Sequence, residues 1–221
     1  DERRIGGDLR LGKDLSEYLH ADLKYTLEEI NISNIIDEAS NELKKERGKN
    51  TISRLGFGLT QDSRDNIFDP TKGLLLSGLA EIAGGPFSGD KDFTRLSGKG
   101  SLDIPSILNS VLELRLRAGI VDAFGNSEEV PIYERFFSGG AYTIRGYEER
   151  KVGPLDPSTK DPIGGKSMLV GNIEYTFPLV EYIRVAGFFD SGNVWSRVSD
   201  IGNGGYKSGY GLGLRLKTPI G

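Results

Sequence analysis

Charged side chains are the main candidates for chemistry in this 221-residue sequence. It has no cysteine and a single histidine, His20, which excludes a thiolate nucleophile, a disulfide framework, Cys-ligated zinc and a His-rich metal site. Lys and Arg number 28 against 32 Asp and Glu, for a net charge of −4, so the chain lacks the basic surface that nucleic-acid binding requires. We therefore expect no metal, no cofactor and no nucleic-acid partner. Carboxylate and guanidinium groups remain as the candidates for function.

Two carboxylates, Glu174 and Asp190, are expected to lie close together. Each occupies a polar position in a segment of alternating apolar and polar residues, and a short turn connects the two segments. Their distances from that turn make them near-diagonal partners on one face of a sheet. Two such carboxylates repel unless a cation joins them, and a guanidinium is the best fork for two acceptors. Arg184 and Arg215 are candidate cations on the same face.

Two short motifs are similar to catalytic or nucleotide-binding signatures but lack their context. Phe188-Phe-Asp-Ser-Gly192 is similar to the aspartic-protease motif, in which two aspartates share a proton, but only one copy is present and an active site would require dimerisation. Gly209-Tyr-Gly-Leu-Gly213 is similar to a dinucleotide-binding turn, but it lies inside a predicted strand with no helix after it. We expect no catalytic residue and no enzymatic activity. His20 is interpreted as an inward-facing polar side chain without a partner ligand.

The elements that position these residues are strands. Nine segments alternate between apolar and polar residues with a period of two, as strands with one apolar face do. In the clearest of them, Leu112, Leu114 and Leu116 are interleaved with Glu113 and Arg115. The sequence therefore predicts an all-β antiparallel fold. The predicted strands cover residues 5–12, 18–30, 50–61, 73–83, 92–104, 110–122, 167–178, 182–195 and 206–217.

The charged residues distinguish a membrane barrel from a soluble β-sandwich. A lipid-facing Lys or Arg costs ~2–4 kcal/mol at the bilayer midplane, and nearly all charged residues of the nine segments fall on the polar face. The exceptions, Glu29, Asp92 and Asp122, stand at strand ends. Because the sequence between the strands contains almost no helical pattern that could cover nine apolar faces, a transmembrane β-barrel is predicted.

The connections between the predicted strands alternate between short and long, as in outer-membrane barrels, except for one pair. The longest covers residues 123–166 and is too long for an idle loop in a compact domain. Nine antiparallel strands do not close into an even-numbered barrel, and an open edge cannot face lipid. We therefore expect residues 1–221 to form one partial outer-membrane β-barrel domain, with residues 123–166 as a long extracellular loop and further strands outside this sequence.

Four motifs, in order along the chain, resemble those of the BamA-type outer-membrane β-barrel assembly factors and their translocation and secretion relatives. The sixth extracellular loop of this family carries a V/I/L-R-G-F/Y motif, which Ile144-Arg-Gly-Tyr147 matches. The two strands that follow the loop, Met168–Tyr175 and Phe188–Trp195, resemble those of the family, as does the periplasmic turn Asp62–Gly73. The resemblance covers nearly the whole chain.

The resemblance implies a barrel of about sixteen strands, of which this chain supplies strands six to fourteen. Five strands and the periplasmic POTRA repeats would precede it and two strands would follow. It implies a non-enzymatic, multi-pass protein of the Gram-negative bacterial outer membrane that folds and inserts β-barrel clients. The implied partners are unfolded outer-membrane proteins, the lipid bilayer and, through the POTRA repeats, accessory assembly lipoproteins.

Two alternatives stay open at this point. The chain resembles the two-partner secretion and translocation-and-assembly transporters of the same superfamily as well, and their repeat number, outside this sequence, would separate them from assembly factors. A passive pore is disfavoured, because a loop as long as 123–166 would fill the lumen.

The resemblance also implies a site for the loop motif. Because this loop folds into the barrel in the family, Arg145 would dock on Glu174 and Asp190, Gly146 would allow close backbone approach, and Tyr147 would stack on the barrel wall. In the alternative interpretation, Arg145 is solvated and the two carboxylates pair with cations of the wall.

The periplasmic turn motif is assigned a structural role. Its carboxylate and amide side chains are expected to accept hydrogen bonds from nearby backbone N–H groups, its proline to fix φ, and its glycine to adopt a positive φ. The residues of this motif are Asp62, Arg64, Asp65, Asn66, Pro70 and Gly73.

Overall fold

The computed structural model describes residues 1–180 and 182–216. They form one nine-stranded antiparallel sheet in which each strand pairs with its neighbours in sequence. The strands are β1 (Glu2–Ser16), β2 (Leu19–Ile32), β3 (Gly48–Asp62), β4 (Gly73–Ala83), β5 (Phe93–Pro105), β6 (Val111–Ala123), β7 (Ser167–Val180), β8 (Ile183–Trp195) and β9 (Lys207–Leu216). The connections contain a short helix, α1 (Asn41–Lys45), and the 3-10 turns Gly85–Phe87, Ile107–Asn109, Ile132–Glu134 and Val198–Asp200.

All nine predicted strands are present, and the prediction of an all-β antiparallel fold is confirmed. The first strand is longer than the predicted 5–12, because its backbone ladder with β2 runs from Glu2 to Ser16. Arg3 and Lys13, which flank the predicted segment, occupy positions of its apolar face, so alternation ended the predicted strand before the backbone ladder ends. The last predicted strand extended to Lys217, which lies outside the described residues.

The sheet has two chemically different faces. We call the face that contacts the long loop the inner face; it carries charged side chains such as Arg54, Arg95 and Glu174. The outer face carries exposed apolar side chains, among them Leu96 and Leu116, each 55% exposed. This is the division that the charge pattern predicted. Within residues 1–180 and 182–216, no helix is long and apolar enough to cross a membrane.

The loop over residues 124–166 lies against the inner face and shares two buried apolar clusters with it. Near its start, Val130 packs with Phe93 and other apolar residues of β2–β6. Further along, Ile144 packs with Val170 of β7. Because the core lies between loop and sheet, the loop is an integral part of the fold.

The two faces of β4 provide a test of which face meets lipid. Leu76 lies on the outer face and is 46% exposed, whereas Leu79 lies on the inner face, two residues before Glu81. Because an arginine near the bilayer midplane costs ~2–4 kcal/mol on the lipid face, we expect L76R to lower the free energy of unfolding of the full-length protein by about that amount. The matched control L79R should change it by less than ~1 kcal/mol. Urea unfolding in lipid vesicles measures both, and equal effects would contradict the assignment.

Candidate functional site

Arg145 of the long loop is bound to two carboxylates on the inner face of β7 and β8. Its Nε and Nη2 each donate to one oxygen of Asp190 at 2.7 Å, and its backbone N–H donates to Asp190 Oδ2 at 3.0 Å. Its Nη1 donates to Oε2 of Glu174. The guanidinium therefore joins both carboxylates, and Asp190 also fixes the main chain of the loop at this point.

The strand register places the two carboxylates on a diagonal. In the β7–β8 ladder, Asn172 stands opposite Asp190, and Glu174 stands opposite Phe188. Asp190 is 0% exposed and Glu174 is 4% exposed. Two buried carboxylates that lie close together disfavour each other's ionisation. Both can be charged only when a cation lies between them.

A second cation, Arg215 of β9, also binds Glu174. Its Nε donates to Oε1 at 2.9 Å and its Nη2 donates to Oε2 at 2.7 Å. Arg184, the other cation considered for this site, instead pairs with Asp69 of the β3–β4 turn at 3.4 Å. Glu174 is thus shared between the loop and the wall.

The charge of Arg145 is strongly favoured at this position. Its hydrogen bonds to Asp190 raise the pKa of its guanidinium above the usual value, and those to Glu174 act in the same direction, while partial burial opposes them. Arg145 and Arg215 bind the two carboxylates, and Nη2 of Arg115 on β6 lies 3.8 Å from Oε2 of Glu174, so both carboxylates are compensated by guanidinium groups. Such a site holds a loop in place and leaves no free acid or base for proton transfer.

Asn172 and Phe188, which the sequence analysis missed, complete the site. Nδ2 of Asn172 donates to Asp190 Oδ1 at 2.8 Å and to the carbonyl of Thr143 at 2.7 Å. The Phe188 ring centre lies 3.7 Å from Cζ of Arg145, a cation–π contact. Both residues occupy inner-face positions of their strands beside the two carboxylates, and that position is the signal that could have identified them.

The glycine that permits close approach is Gly209 of β9, and the expectation that Gly146 does so was wrong. A Cβ at Gly146 would meet no atom within 4 Å, but its φ of +91° is in the region that favours glycine. A Cβ at Gly209 would overlap the carbonyl oxygen of Arg145. Gly146 therefore sets the local turn, and Gly209 makes room for the loop on the wall.

The remaining residues of the loop motif also contact the wall. Ile144 is 0% exposed and packs with Val152 and Val170. Tyr147 packs at the edge of this cluster, and its hydroxyl donates to the carbonyl of Ser208 at 3.3 Å. The motif thus contacts β7, β8 and β9 together.

The turn between β3 and β4 contains a dense local hydrogen-bond network. Oδ1 of Asn66 accepts from the backbone N–H groups of Phe68 at 2.8 Å and Asp69 at 3.2 Å. The Asp65 carboxylate accepts from the hydroxyl of Thr71 at 2.5 Å and from its N–H at 2.9 Å. These bonds, that from the hydroxyl above all, hold the pKa of Asp65 well below its usual value.

The other residues of the turn motif have local partners or special backbone geometry. Asp62 accepts from the Arg64 side chain at 2.7 and 2.9 Å and from its backbone N–H at 3.1 Å. Gly73 has a φ of +121°, which favours glycine, and Pro70 lies in the same turn.

The residues considered for other chemistry are placed differently from a catalytic or metal site. Nδ1 of His20 lies 2.7 Å from Oδ1 of Asp14, and the described part of the chain contains no group of three or more His, Asp or Glu that could hold a metal. Asp190, in the protease-like stretch, is occupied by Arg145 and Asn172. The glycine-rich stretch 209–213 lies within β9.

Comparison with known proteins identifies related chains. Residues 1–221 match the Omp85 superfamily domain. The chain is 32% identical to the outer membrane protein assembly factor BamA of Nitratidesulfovibrio vulgaris over 98% of its own length, and 29% identical to a SAM50-like protein of Schizosaccharomyces pombe over 85%. It spans only 28% and 42% of the length of these two relatives.

A solved structure gives the same fold. The crystal structure of BamA from Haemophilus ducreyi lacking POTRA domains 1–3 matches with a TM-score of 0.78, over 99% of this chain and 49% of that one. The sequence identity is 19%, so this likeness concerns the fold alone.

The overlap at Gly209 predicts the effect of a single methyl group. G209A should displace the Arg145 main chain, at a cost typical of overpacking, ~1–3 kcal/mol, and so speed amide exchange over residues 143–147 by about tenfold or more. G213A is the matched control on the same strand and face, because its Cβ would lie 3.5 Å from the nearest atom, an ordinary contact. Hydrogen exchange with mass spectrometry on the full-length protein measures both, and equal exchange in the two variants would rule out the close approach.

The Asp65 network predicts how the β3–β4 turn responds to loss of one charge. D65N keeps the shape of the side chain but removes its charge, which weakens the hydrogen bonds donated by Thr71. Trypsin should therefore cleave after Arg64 and Lys72 several times faster. Because the pKa of Asp65 is lowered by the fold, its stabilising effect is present at neutral pH and is lost as the pH falls through that lowered value. D14N, at an exposed carboxylate, is the control. Unchanged cleavage in D65N would show that the network does not hold the turn.

Proposed function

Because the chain belongs to the Omp85 superfamily, we propose that it is part of a factor that folds β-barrel proteins and inserts them into the outer membrane. The observation that carries this proposal is the 32% identity, over 98% of this chain, with a relative named as an outer membrane protein assembly factor. The chain spans 28% of that relative, and it contributes part of the barrel wall together with its anchored loop.

The proposed activity requires no covalent chemistry. A client strand is inserted when its backbone N–H and C=O groups pair with an exposed strand edge, as in β-augmentation, while the barrel thins the bilayer nearby. The edge that receives the client lies at the seam between the first and last strands of the complete barrel. We propose that this chain supplies the stable wall opposite the seam, and that it is not an enzyme.

The role of Arg145 in this activity is to keep the loop inside the barrel. Its four hydrogen bonds to Asp190 and Glu174 tie the loop to β7 and β8. Contacts of Tyr147 and Gly209 extend the tie to β9. With the loop docked, the wall keeps one shape through cycles of client insertion.

The proposed location is the outer membrane of a bacterium. The BamA relatives are bacterial, and the one from Nitratidesulfovibrio vulgaris matches 98% of this chain, against 85% for the fission-yeast relative. The proposed partners are unfolded outer-membrane proteins, the lipid bilayer and, through POTRA repeats of the complete protein, accessory assembly lipoproteins. The names of these relatives favour assembly over the secretion and translocation alternatives.

Replacing Arg145 should separate assembly activity from barrel formation. In cells whose only copy of the full-length protein is R145A, we expect the barrel itself to be made but folded porins to fall several-fold, because Asp190 then loses the guanidinium that binds it, while Glu174 keeps Arg215 and Arg115. R145K should be intermediate, since an ammonium keeps the charge but cannot fork both acceptors. Heat-modifiable migration reports the folded fraction of both the protein and its clients.

The control is R197A, which removes an arginine that is 76% exposed and pairs with Asp200, three residues along the chain. It should leave porin levels unchanged. Normal porin levels in R145A would exclude a role of the docked loop in assembly, whereas loss of the R145A barrel itself would show that the site serves only stability.

A further inference from the structure

Glu134, near the start of the long loop, is buried against strands that the Arg145 site does not touch. Its side chain is 3% exposed. Nη1 of Arg54, on β3, donates to both of its carboxylate oxygens at 3.2 and 3.3 Å. Nη2 of Arg95, on β5, lies 3.0 Å from Oε2 and also donates to the Glu134 carbonyl. Two guanidinium groups from two strands therefore hold one loop carboxylate.

Glu134 completes an alternating row of charges on five consecutive strands. The closest atoms of neighbouring members lie within 4.0 Å of each other along the row. Arg4, at the β1 end of the row, also pairs with Glu2 at 2.6 Å, whereas Arg54 and Arg95 flank Glu81 and both bind the carboxylate from the loop. Its members, in order from β1 to β5, are Arg4, Glu28, Arg54, Glu81 and Arg95.

A second contact nearby points to the same docking of the loop. Two residues after Glu134, the Phe136 ring lies on Gly119 of β6, where a Cβ would be 2.6 Å from Cε1 of the ring. The same ring centre is 5.5 Å from Cζ of Arg95. The backbone of Phe136 also exchanges two hydrogen bonds with Gly165, at 2.9 and 3.0 Å, near the other end of the loop. A bare inner-face glycine thus receives this part of the loop, just as Gly209 receives the Arg145 main chain.

We propose that Glu134 and Phe136 form a second anchor of the long loop, opposite in charge to the Arg145 anchor, so that the loop braces β3–β6 against β7–β9 across the inside of the sheet. An anion of the loop binds two guanidinium groups of the wall, and a cation of the loop binds two carboxylates of the wall. This way of holding the loop does not depend on the assembly activity proposed above.

Burial gives the second anchor its strength. An exposed ion pair contributes little, but a buried carboxylate that loses its partners, or buried guanidinium groups that lose theirs, are left uncompensated. The side chains of Arg54 and Arg95 are 15% and 18% exposed, and that of Glu134 is 3% exposed. Each of the three charged groups therefore depends on the others, rather than on water, to compensate its charge.

The two anchors predict two independently released segments of the loop. In the full-length protein in lipid nanodiscs, E134Q should speed amide exchange over residues 130–136 by about tenfold or more, because hydrogen bonds to charged groups are among the stronger ones. Exchange over residues 143–147 should change by less than about twofold. R145A should give the converse pattern. E128Q, at an exposed glutamate of the same loop, is the matched control and should change neither segment.

A milder variant keeps the test decisive if E134Q does not fold. R95M removes one of the two guanidinium groups but leaves Arg54 on the Glu134 carboxylate, so it should speed amide exchange over residues 130–136 to an intermediate extent. E134D keeps the carboxylate, so it should retain most of the protection that E134Q loses. Heat-modifiable migration checks that each variant forms the barrel. Unchanged exchange over 130–136 in folded E134Q or R95M would overturn the proposal, as would joint release of both segments by either substitution.

Discussion

Burial of charge on the inner face of the sheet is the constraint on which the rest of the structure depends. Period-two alternation places apolar side chains on the outer face, so the charged residues collect on the inner one, where Asp190 is 0% and Glu174 is 4% exposed. Groups this dry stay ionised only beside opposite charges. The long loop supplies an arginine to one part of the wall and a glutamate to another. The wall therefore depends on the loop as much as the loop depends on the wall.

Close approach of the loop backbone to the wall is the second requirement, and glycine meets it. The sequence has 31 glycines in 221 residues, a proportion about twice the usual ~7%. Two of these glycines stand where the loop touches the strands. Gly119 lies under the Phe136 ring and Gly209 under the Arg145 main chain. Larger side chains there would hold the loop away from the charges it neutralises, because hydrogen bonds weaken steeply beyond normal distances.

The strands and their faces could be predicted from the sequence because alternation is a local signal that repeats over many residues. The diagonal placement of Glu174 and Asp190 followed too, since one short turn fixes the register of β7 and β8. The partners of Glu134 could not be predicted in this way. Arg54 lies 80 residues from it in the chain, and their meeting depends on the curvature of the sheet and the path of the loop, for which no short stretch of sequence carries a signal.

The two anchors of the loop, at Glu134 and Arg145, differ in how much the charged groups of the wall depend on them. On β1–β5, the charged row alternates in sign, so its members neutralise one another, and Arg4 at its end pairs with Glu2 and is 40% exposed to solvent. On β7 and β8, two acidic groups are adjacent and nearly dry, with Arg215 bound to only one of them. Water reaches the end of the charged row at Arg4, but it has little access to the two carboxylates of β7 and β8. The electrostatic requirement for the loop is therefore greater at Arg145, whose guanidinium joins both carboxylates.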